Sequence, residues 1–531
     1  MVDKMVLGEL DGAKSAKNRS PRDASKSSSV KPQASPNPAA EEAKVPDVNE
    51  LVKERLKKLE DLKGLSINAY PYRFDRTHSS AQILKQFKDA TDQHSKESVS
   101  TAGRIMALRR MGKISFAHLQ DHHGKIQAFF SEGELKNFDL LKKFDIGDFI
   151  GVQGPVFKTK AGEITVFAKK FEMLAKAIRP LPEKYHGLKD TELRYRKRYL
   201  DLVMNPDVKD VFVKRTVIMD TFRSVLNKDG YLEVDTPVLS TMYGGANARP
   251  FSSHLHALNT KVYMRISPEL FLKRLIVGGF DKVFEFSKDF RNEGIDKSHN
   301  PEFTIMEAYM AYGDLTDMMD LVEDTLSACA KALHGSTTAT FGNHVIEFKK
   351  PFARMTMEEA IKIHANVDVT KLPDRELFDL RTTYNIEIKG DITRGIMIQQ
   401  LFEELVEDKL IQPTMIIEHP QESTPLAKIS RKDPSKVERF ELFIAGMEIA
   451  NAYSELNDPI RQRFLLEEQA KQLRGGNEEA HPMDEDFVEA MEYGMPPTGG
   501  IGIGIDRVAM IMLNQPSIRD VILFPFMKPL E

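Results

Sequence analysis

Between Phe290 and Tyr309 the chain reads FRNEGIDKSHNPEFTIMEAY, placing Arg291, Glu293, His299, Asn300, Phe303, Glu307 and Tyr309 within twenty residues. Arginine, histidine, an aromatic ring and carboxylates in close order suit a nucleoside triphosphate lying beside a small cationic substrate. If a strand starts at Phe303, side chains alternate, and Phe303, Ile305, Glu307 and Tyr309 share one face. A carboxylate between two aromatic rings on a sheet face is costly unless something positive meets it. The plain alternative is a half-exposed hairpin with ordinary charges.

A second segment, GGIGIGIDR from Gly499 to Arg507, has glycines at every second position. In a strand, Gly500, Gly502 and Gly504 form one bare face opposite Ile501, Ile503 and Ile505. A flat ligand can lie against such backbone, and Arg507, at the start of a following helix, can hydrogen-bond phosphate oxygens. A close strand–helix contact is the alternative. The third segment is ERFELFIAGMEIANAYSELND. With Ala445-Gly446 as a two-residue turn, Phe443 faces Glu448 and Glu441 faces Ala450, so Glu441 and Glu448 lie diagonally on one face within roughly 8 Å. Two such carboxylates repel unless a cation bridges them, and a hard divalent ion on phosphates is the usual bridge. This register puts Asn451, Tyr453 and Glu455 on the other face, and they join the site only if the strand bulges near Ala450. The phosphate-loop pattern GxxxxGK[ST] and the zinc pattern HExxH are both absent.

The elements that must position these residues belong to a chain of 531 residues, long enough for about two to four domains. A net charge of −4 gives no global basic signal for nucleic acid, so such binding must rest on local patches. The lone cysteine, Cys329, excludes an intrachain disulfide and a cysteine-rich zinc site. No apolar run reaches the roughly 18 residues of a membrane helix. The first 45 residues lack an apolar signal core, and Asp3, Glu9 and Asp11 argue against a transit peptide. A cytoplasmic protein without membrane contact is expected.

Residues 1–45, rich in Ser, Ala, Pro and Lys, read as a disordered tail. A charged helix follows from Val48 to Lys63, stopped at Gly64. From Val99 to Leu174 the pattern changes to about five short alternating strands, with a hairpin turn at Ala161-Gly162. Five strands in under a hundred residues suggest an OB-fold barrel, and residues 46–178 are read as helix plus barrel. Such barrels bind single-stranded nucleic acid through aromatic and basic residues. Phe116, with Arg104, Arg109 and Arg110 nearby, fits that use; its spacing fits a core residue equally well. Residues 179–207 carry prolines and then a dense basic helix, and read as a linker leading into the large domain. Mixed helices and strands follow over 208–531, with an insertion at about 334–433 carrying a helix near Ile398 to Leu410. The fold class is α+β.

Together these segments resemble a class II aminoacyl-tRNA synthetase, and closely the lysyl-tRNA synthetases, from about Glu50 to Glu531. VKRTVIMDTFRSVLNKDGYLEVDTPVL is similar to motif 1, FRNEG with HNPEFTIMEAYMAY to motif 2, and GIGIGIDRVAM to motif 3. The resemblance implies a ligase that joins L-lysine to ATP as lysyl-adenylate, then transfers lysine to tRNA(Lys), with Mg2+ on the phosphates and a homodimer built through motif 1. It implies that Arg291 holds the α-phosphate and the lysine carboxylate and that Arg291 and Arg507 stabilise phosphate charge, with no protein nucleophile. Phe303 and Arg507 would then sandwich adenine, Glu293 read its amine, and His299 hold the outer phosphates, with Asn300 and Gly504 also at the nucleotide. Glu441 and Glu448 match the metal ligands, Glu441 at the ATP as well. Glu269, Glu307 and the backbone at Gly245 match the groups on the α-amine, Glu455 and Tyr309 those on the ε-ammonium, and Asn451 that on the carboxylate, with Tyr453 in the same pocket. Phe116 would stack on an anticodon base, with Arg104, Gln127 and Glu163 at the central uridine.

Three carboxylates in the pocket argue independently for a substrate with two ammonium groups. An aspartate pocket, as in the related aspartyl and asparaginyl enzymes, needs cationic groups where Glu307 and Glu455 stand. A scaffold that had lost catalysis would lack Arg291 or Arg507, and a lysine ligase acting on protein would lack the barrel.

Overall fold

The computed structural model describes residues 48–182, 188–388, 392–475 and 482–530; the tail expected over 1–45 lies outside them. The chain divides into two units, Met1–Pro180 and Leu181–Glu531.

In the first unit a helix runs from Val48 to Gly64, ending at the glycine where the sequence predicts its stop. Six strands follow: β1 (Ser98–Met111), β2 (Ile114–Gln120), β3 (Lys125–Ser131), β4 (Phe149–Lys158), β5 (Ile164–Phe167) and β6 (Lys170–Ala175). Their order is β1-β2-β3-β5-β4-β6, and pairing of β1 with β4 closes the barrel. The count is six rather than five because the run from Ile164 to Ala175 changes partners at Ala168. Its first part pairs with β3 and β4, its second with β4 alone. Alternation fills the barrel: in β2, Ser115, Ala117 and Leu119 are buried, while Phe116, His118 and Gln120 stay partly open.

The second unit is built on an eight-stranded sheet. In chain order its strands are β7 (Leu232–Glu233), β8 (Leu239–Ser240), β9 (Ser252–Leu255), β10 (Thr260–Met264), β11 (Lys282–Phe290), β12 (Glu302–Ala311), β13 (Thr338–Phe341), β14 (His344–Glu347), β15 (Ala353–Thr356), β16 (Thr414–Pro420), β17 (Lys436–Ile444), β18 (Met447–Ser454) and β19 (Thr498–Gly504). The large sheet runs β15-β16-β17-β18-β19-β12-β11-β7, parallel only at its two outermost pairs. β8 to β10 form a separate small sheet, and β13 with β14 a hairpin.

One face of the large sheet is the core. Phe284, Met306, Ala308, Leu442, Ala452, Ile501 and Ile503 point into it. Against them pack the helices Pro206–Lys228, Leu315–His334 and Ile505–Met512, through residues such as Phe222, Val322 and Val508. Each large aliphatic or aromatic side chain buried there contributes about 1.5–3 kcal/mol. Since successive residues alternate faces, anchoring these positions turns Glu285, Glu307, Tyr309, Glu441, Tyr453 and Gly500 to the opposite side.

Two expectations are corrected. The segment expected as a linker holds two short helices, Thr191–Arg196 and Arg198–Met204. Arg198 is fully buried and donates to Asp201 and to the carbonyls of Leu523 and Arg519, so this stretch is anchored in the second unit. Within the expected insertion, β15 and β16 join the main sheet; only the helical part between them, from Met357 to Lys409, forms its own core, and its helix spans Arg394–Leu405.

Candidate active site

The face of the sheet opposite the core forms the floor of a cleft of about 360 Å³. Its middle strand is β19, the glycine strand. Gly500 pairs with Tyr309 on one side and Tyr453 on the other, Gly502 with Glu307 and Asn451, and Gly504 with Ile305. Side chains from β12 and β18 therefore rise on both sides of a bare strip. A methyl group at Gly500 would lie 1.9 Å from Glu455 Oε1 and 2.6 Å from the Tyr309 ring, so glycine is required there by space. From Gly500 to Gly504 the strip is about 13 Å long, at roughly 3.3 Å per residue.

β17 and β18 meet in a turn at Ala445-Gly446, where both residues have positive φ. Phe443 pairs with Glu448 as the alternation predicts, but Glu441 pairs with Asn451, not Ala450. Ile449 is the extra residue of a bulge. That bulge puts Asn451 and Tyr453 on the same face as Glu441, the condition the sequence set for their sharing a site.

One end of the cleft is acidic. Ser267 donates to Glu307 at 2.7 Å, Tyr309 donates to Glu307 at 2.9 Å, and Tyr453 reaches Glu269 at 3.3 Å. Burial, then the charges of Asp289 and Glu269, push the Glu307 carboxyl well above the usual range. Glu455, 1% exposed, sets its Oε1 over the bare side of Gly500; burial pushes it up to about 8. Gly245 closes this end with φ +88°, its α-carbon pressed toward Ser267 and Glu269. The residues expected in this pocket all line the cavity except Glu455, which is buried at its edge against Gly500.

The other end carries the cations. The Arg291 guanidinium stands 5.0 Å from the Phe303 ring centroid, so it is Arg291, not Arg507, that lies over this ring. Arg507 donates to the Glu448 carbonyl at 2.7 Å and to His299 Nε2 at 3.1 Å. His299 Nδ1 is 2.8 Å from Asp296, so the ring carries its proton on Nδ1 and accepts from Arg507 on Nε2. Against opposing desolvation, the Ser298 N–H and the His299 ring hold Asp296 down at about 2. Glu293 and Asn300 line the cleft beside them, and Asn300 donates to the Glu302 carbonyl.

Glu441 and Glu448 both line the cleft. Arg439 pairs with Glu441 and also donates to Asn451. Partial desolvation and then the Glu441 charge raise the Glu448 carboxyl, and desolvation with Glu441 as first neighbour pushes Glu407 up to about 8. This excess of negative charge fits a hard cation. Among the described residues no three His, Cys, Asp or Glu side chains form a metal cage by themselves, so a cation here would complete its shell with phosphate oxygens.

Two groups carry no sequence signature of their own. Arg439 is legible only as a neighbour two residues before Glu441. Lys273 is legible only as a lysine four residues after Glu269 on the helix Glu269–Val277.

In the first unit, Phe116 lies outside the barrel core, its ring centroid 4.9 Å from that of Phe129. Gln127 donates to Glu163 at 2.6 Å, and His118 lies 2.8 Å from the other carboxylate oxygen. These four residues share one outer patch. Arg104 pairs across to Gln120 on the same face but is engaged by the Phe149 ring, 4.3 Å away, and the Gly147 carbonyl.

Comparison with known proteins agrees with both units. Residues 190–528 match the family of class II tRNA synthetases (D, K and N), and residues 99–174 match the OB-fold nucleic acid binding domain. Lysine–tRNA ligase of Pelotomaculum thermopropionicum is 50% identical over 490 residues, covering 91% of this chain and 96% of that protein. The same enzyme of Bacillus subtilis is 48% identical over 488 residues, covering 91% and 98%. That of the archaeon Methanoculleus marisnigri is 48% identical, covering 89% and 94%.

Proposed function

The chain belongs to the lysine–tRNA ligases of the class II tRNA synthetases, and on that premise we propose how its residues divide the work. The enzyme activates L-lysine with ATP and passes the lysyl group to the 3′ end of tRNA(Lys). The observation that carries the assignment of the pocket is the meeting of Glu269, Glu307 and Glu455 at one end of a glycine-floored cleft whose other end holds Arg291, Phe303 and Arg507.

Adenine lies on Phe303 and the Gly504 end of the strip, displacing Arg291 toward the α-phosphate and drawing Arg507 to the far side of the base. Glu293 accepts from the adenine amine, and His299 with Asn300 borders the outer phosphates. The lysine α-amine meets Glu269, Glu307 and the Gly245 backbone; the ε-ammonium meets Glu455 and Tyr309, beside Tyr453. Asn451 orients the carboxylate. One carboxylate oxygen bonds to the α-phosphorus as the bond to pyrophosphate breaks. Arg291 stabilises the charge that builds on the phosphate, so catalysis is electrostatic and positional. The terminal ribose hydroxyl then attacks the lysyl carbonyl and AMP leaves. Mg2+ held by Glu441 and Glu448 would neutralise phosphate oxygens when bound.

The barrel is assigned to the anticodon, with Phe116 as the stacking ring and Gln127, Glu163 and Arg104 as readers. A homodimer is assigned to the motif 1 segment, where Val213, Leu232, Val238 and Leu239 are exposed large apolar residues. Among the described residues no helix is long and apolar enough to cross a membrane, in keeping with work in the cytoplasm beside tRNA.

The test is ATP–pyrophosphate exchange with each of the twenty amino acids, followed by charging of tRNA(Lys). Exchange driven by lysine alone is expected. Exchange driven by aspartate or asparagine, or none from folded protein, would reject the pocket.

A further inference from the structure

Behind the acidic end of the cleft lies an ammonium group that no step above uses. Lys273, on the helix Glu269–Val277, is fully buried, with Nζ 2.5 Å from Glu269 Oε1 and 2.5 Å from Glu455 Oε2. Its amine is 5.9 Å from the Tyr453 ring centroid and 6.0 Å from that of Phe487. The neighbouring Arg274 turns the other way, to Asp484 and Asp486. Glu307 and Tyr309 stand on β12 on the far side of the two carboxylates. Lys273 therefore faces two negative groups, two rings and no competing cation.

A formal count gives this arrangement a meaning. Glu269, Glu307 and Glu455 carry three negative charges when ionised, and Lys273 carries one positive. The difference, 3 − 1, is two, the number of ammonium groups on a free lysine. We propose that Lys273 is a specificity-determining residue that acts as a resident counter-ion, trimming the charge of the acidic end to match the two ammonium groups of the substrate. The inference rests on the cleft being a lysine pocket.

A buried ammonium normally sheds its proton, but the charges of Glu269 and Glu455 outweigh desolvation and raise Lys273 instead. Burial and the neighbouring carboxylates favour the neutral form of Glu307 while an arriving ammonium favours the ionised one, so lysine binding is coupled to proton release. Without Lys273 the Glu455 carboxyl, already raised by burial, would lose the cation beside it and be held neutral over a wider pH range, so more of its ionisation would be coupled to lysine binding. The proton release per lysine bound would then be larger.

The experiment is calorimetry of lysine binding near neutral pH in buffers of different ionisation enthalpy, on wild type, Lys273→Met and Lys273→Gln. Glutamine keeps a hydrogen-bond donor without the charge, so it separates charge from bonding. The expected result is a larger proton release per lysine in both variants than in wild type, with lysine KM in the exchange reaction depending more steeply on pH. An unchanged proton count in a folded variant would overturn the inference. So would failure of both variants to fold, which would make Lys273 a structural residue. If wild type itself shows no lysine-driven exchange, the pocket assignment has failed instead, and the two failures are distinguishable.

Discussion

Asp506 accepts the backbone N–H of Thr304 at 2.7 Å, which ties the helix carrying Arg507 to the strand carrying Phe303. Its other oxygen receives Arg215 at 2.6 Å, from the long helix Pro206–Lys228, and Arg215 also reaches the Thr304 hydroxyl at 3.0 Å. Asp506 is almost fully buried, so removing Arg215 leaves its charge half-answered. Arg215→Met is expected to destabilise the second unit by about 3 kcal/mol and to raise the KM for ATP more than that for lysine. Urea denaturation and exchange kinetics check this; equal shifts in both KM values would show that Arg215 does not act through the nucleotide end.

Gly500→Ala places a methyl group 1.9 Å from Glu455 Oε1, at the acidic end of the strip. Lysine-dependent exchange should fall at least about 100-fold, because a misplacement of about an ångström in an oriented site costs that much. ATP binding, centred four residues away, should change little. Titration of ATP into the folded variant tells these apart, and loss of both together would reject the division of the strip.

Glu307 sets a pH dependence whose sign follows from its raised pKa. In the free protein its carboxyl stays neutral above the ordinary 4.5, while in the unfolded chain it ionises there. Rising pH above that value therefore removes stability from the free protein until the folded pKa is passed. Lysine favours the ionised form, so the thermal stabilisation given by saturating lysine should grow with pH from about 5 to 8. Glu307→Gln should flatten that rise, as read by thermal shift at fixed lysine across the range.

Phe116→Ala should lower the kcat/KM of tRNA charging by about 10- to 100-fold, the usual value of one base stack at about 1–3 kcal/mol. Exchange without tRNA should be untouched. A similar loss with an anticodon-mutated transcript would show that the ring packs the barrel and does not read RNA.

Glu448→Gln removes one of two neighbouring carboxylates whose mutual repulsion needs a cation. The Mg2+ concentration for half-maximal exchange should rise several-fold, while lysine affinity without ATP should hold. A Mg2+ titration of both proteins decides it.

Much of this site was legible because its residues follow a two-residue period. Once Met306, Ala308, Ile501 and Ile503 are known to be apolar, Glu307, Tyr309 and Gly502 must face away from the core. What spacing could not supply was contact between segments distant in sequence. Lys273 touches Glu455 across 182 residues, and Arg215 touches Asp506 across 291. Period also failed where a strand broke its own rule, as when the run from Ile164 to Ala175 became two strands of the barrel. The burial of Arg198 escaped notice because a basic stretch reads as solvated until its carbonyl partners near the carboxyl end are in view.

The surplus residue at Ile449 works as a phase shifter. Delete it, and every position beyond it changes sides: Ala450 and Ala452 would look into the cleft, while Asn451 and Tyr453 would be driven into the hydrophobic layer behind. A single-codon loss there would leave composition, length and motifs almost intact, yet present two methyl groups where a zwitterion must be gripped. For this strand, an insertion or deletion of one is a change of face, and related chains should tolerate length variation everywhere in the β17–β18 ribbon before they tolerate it there.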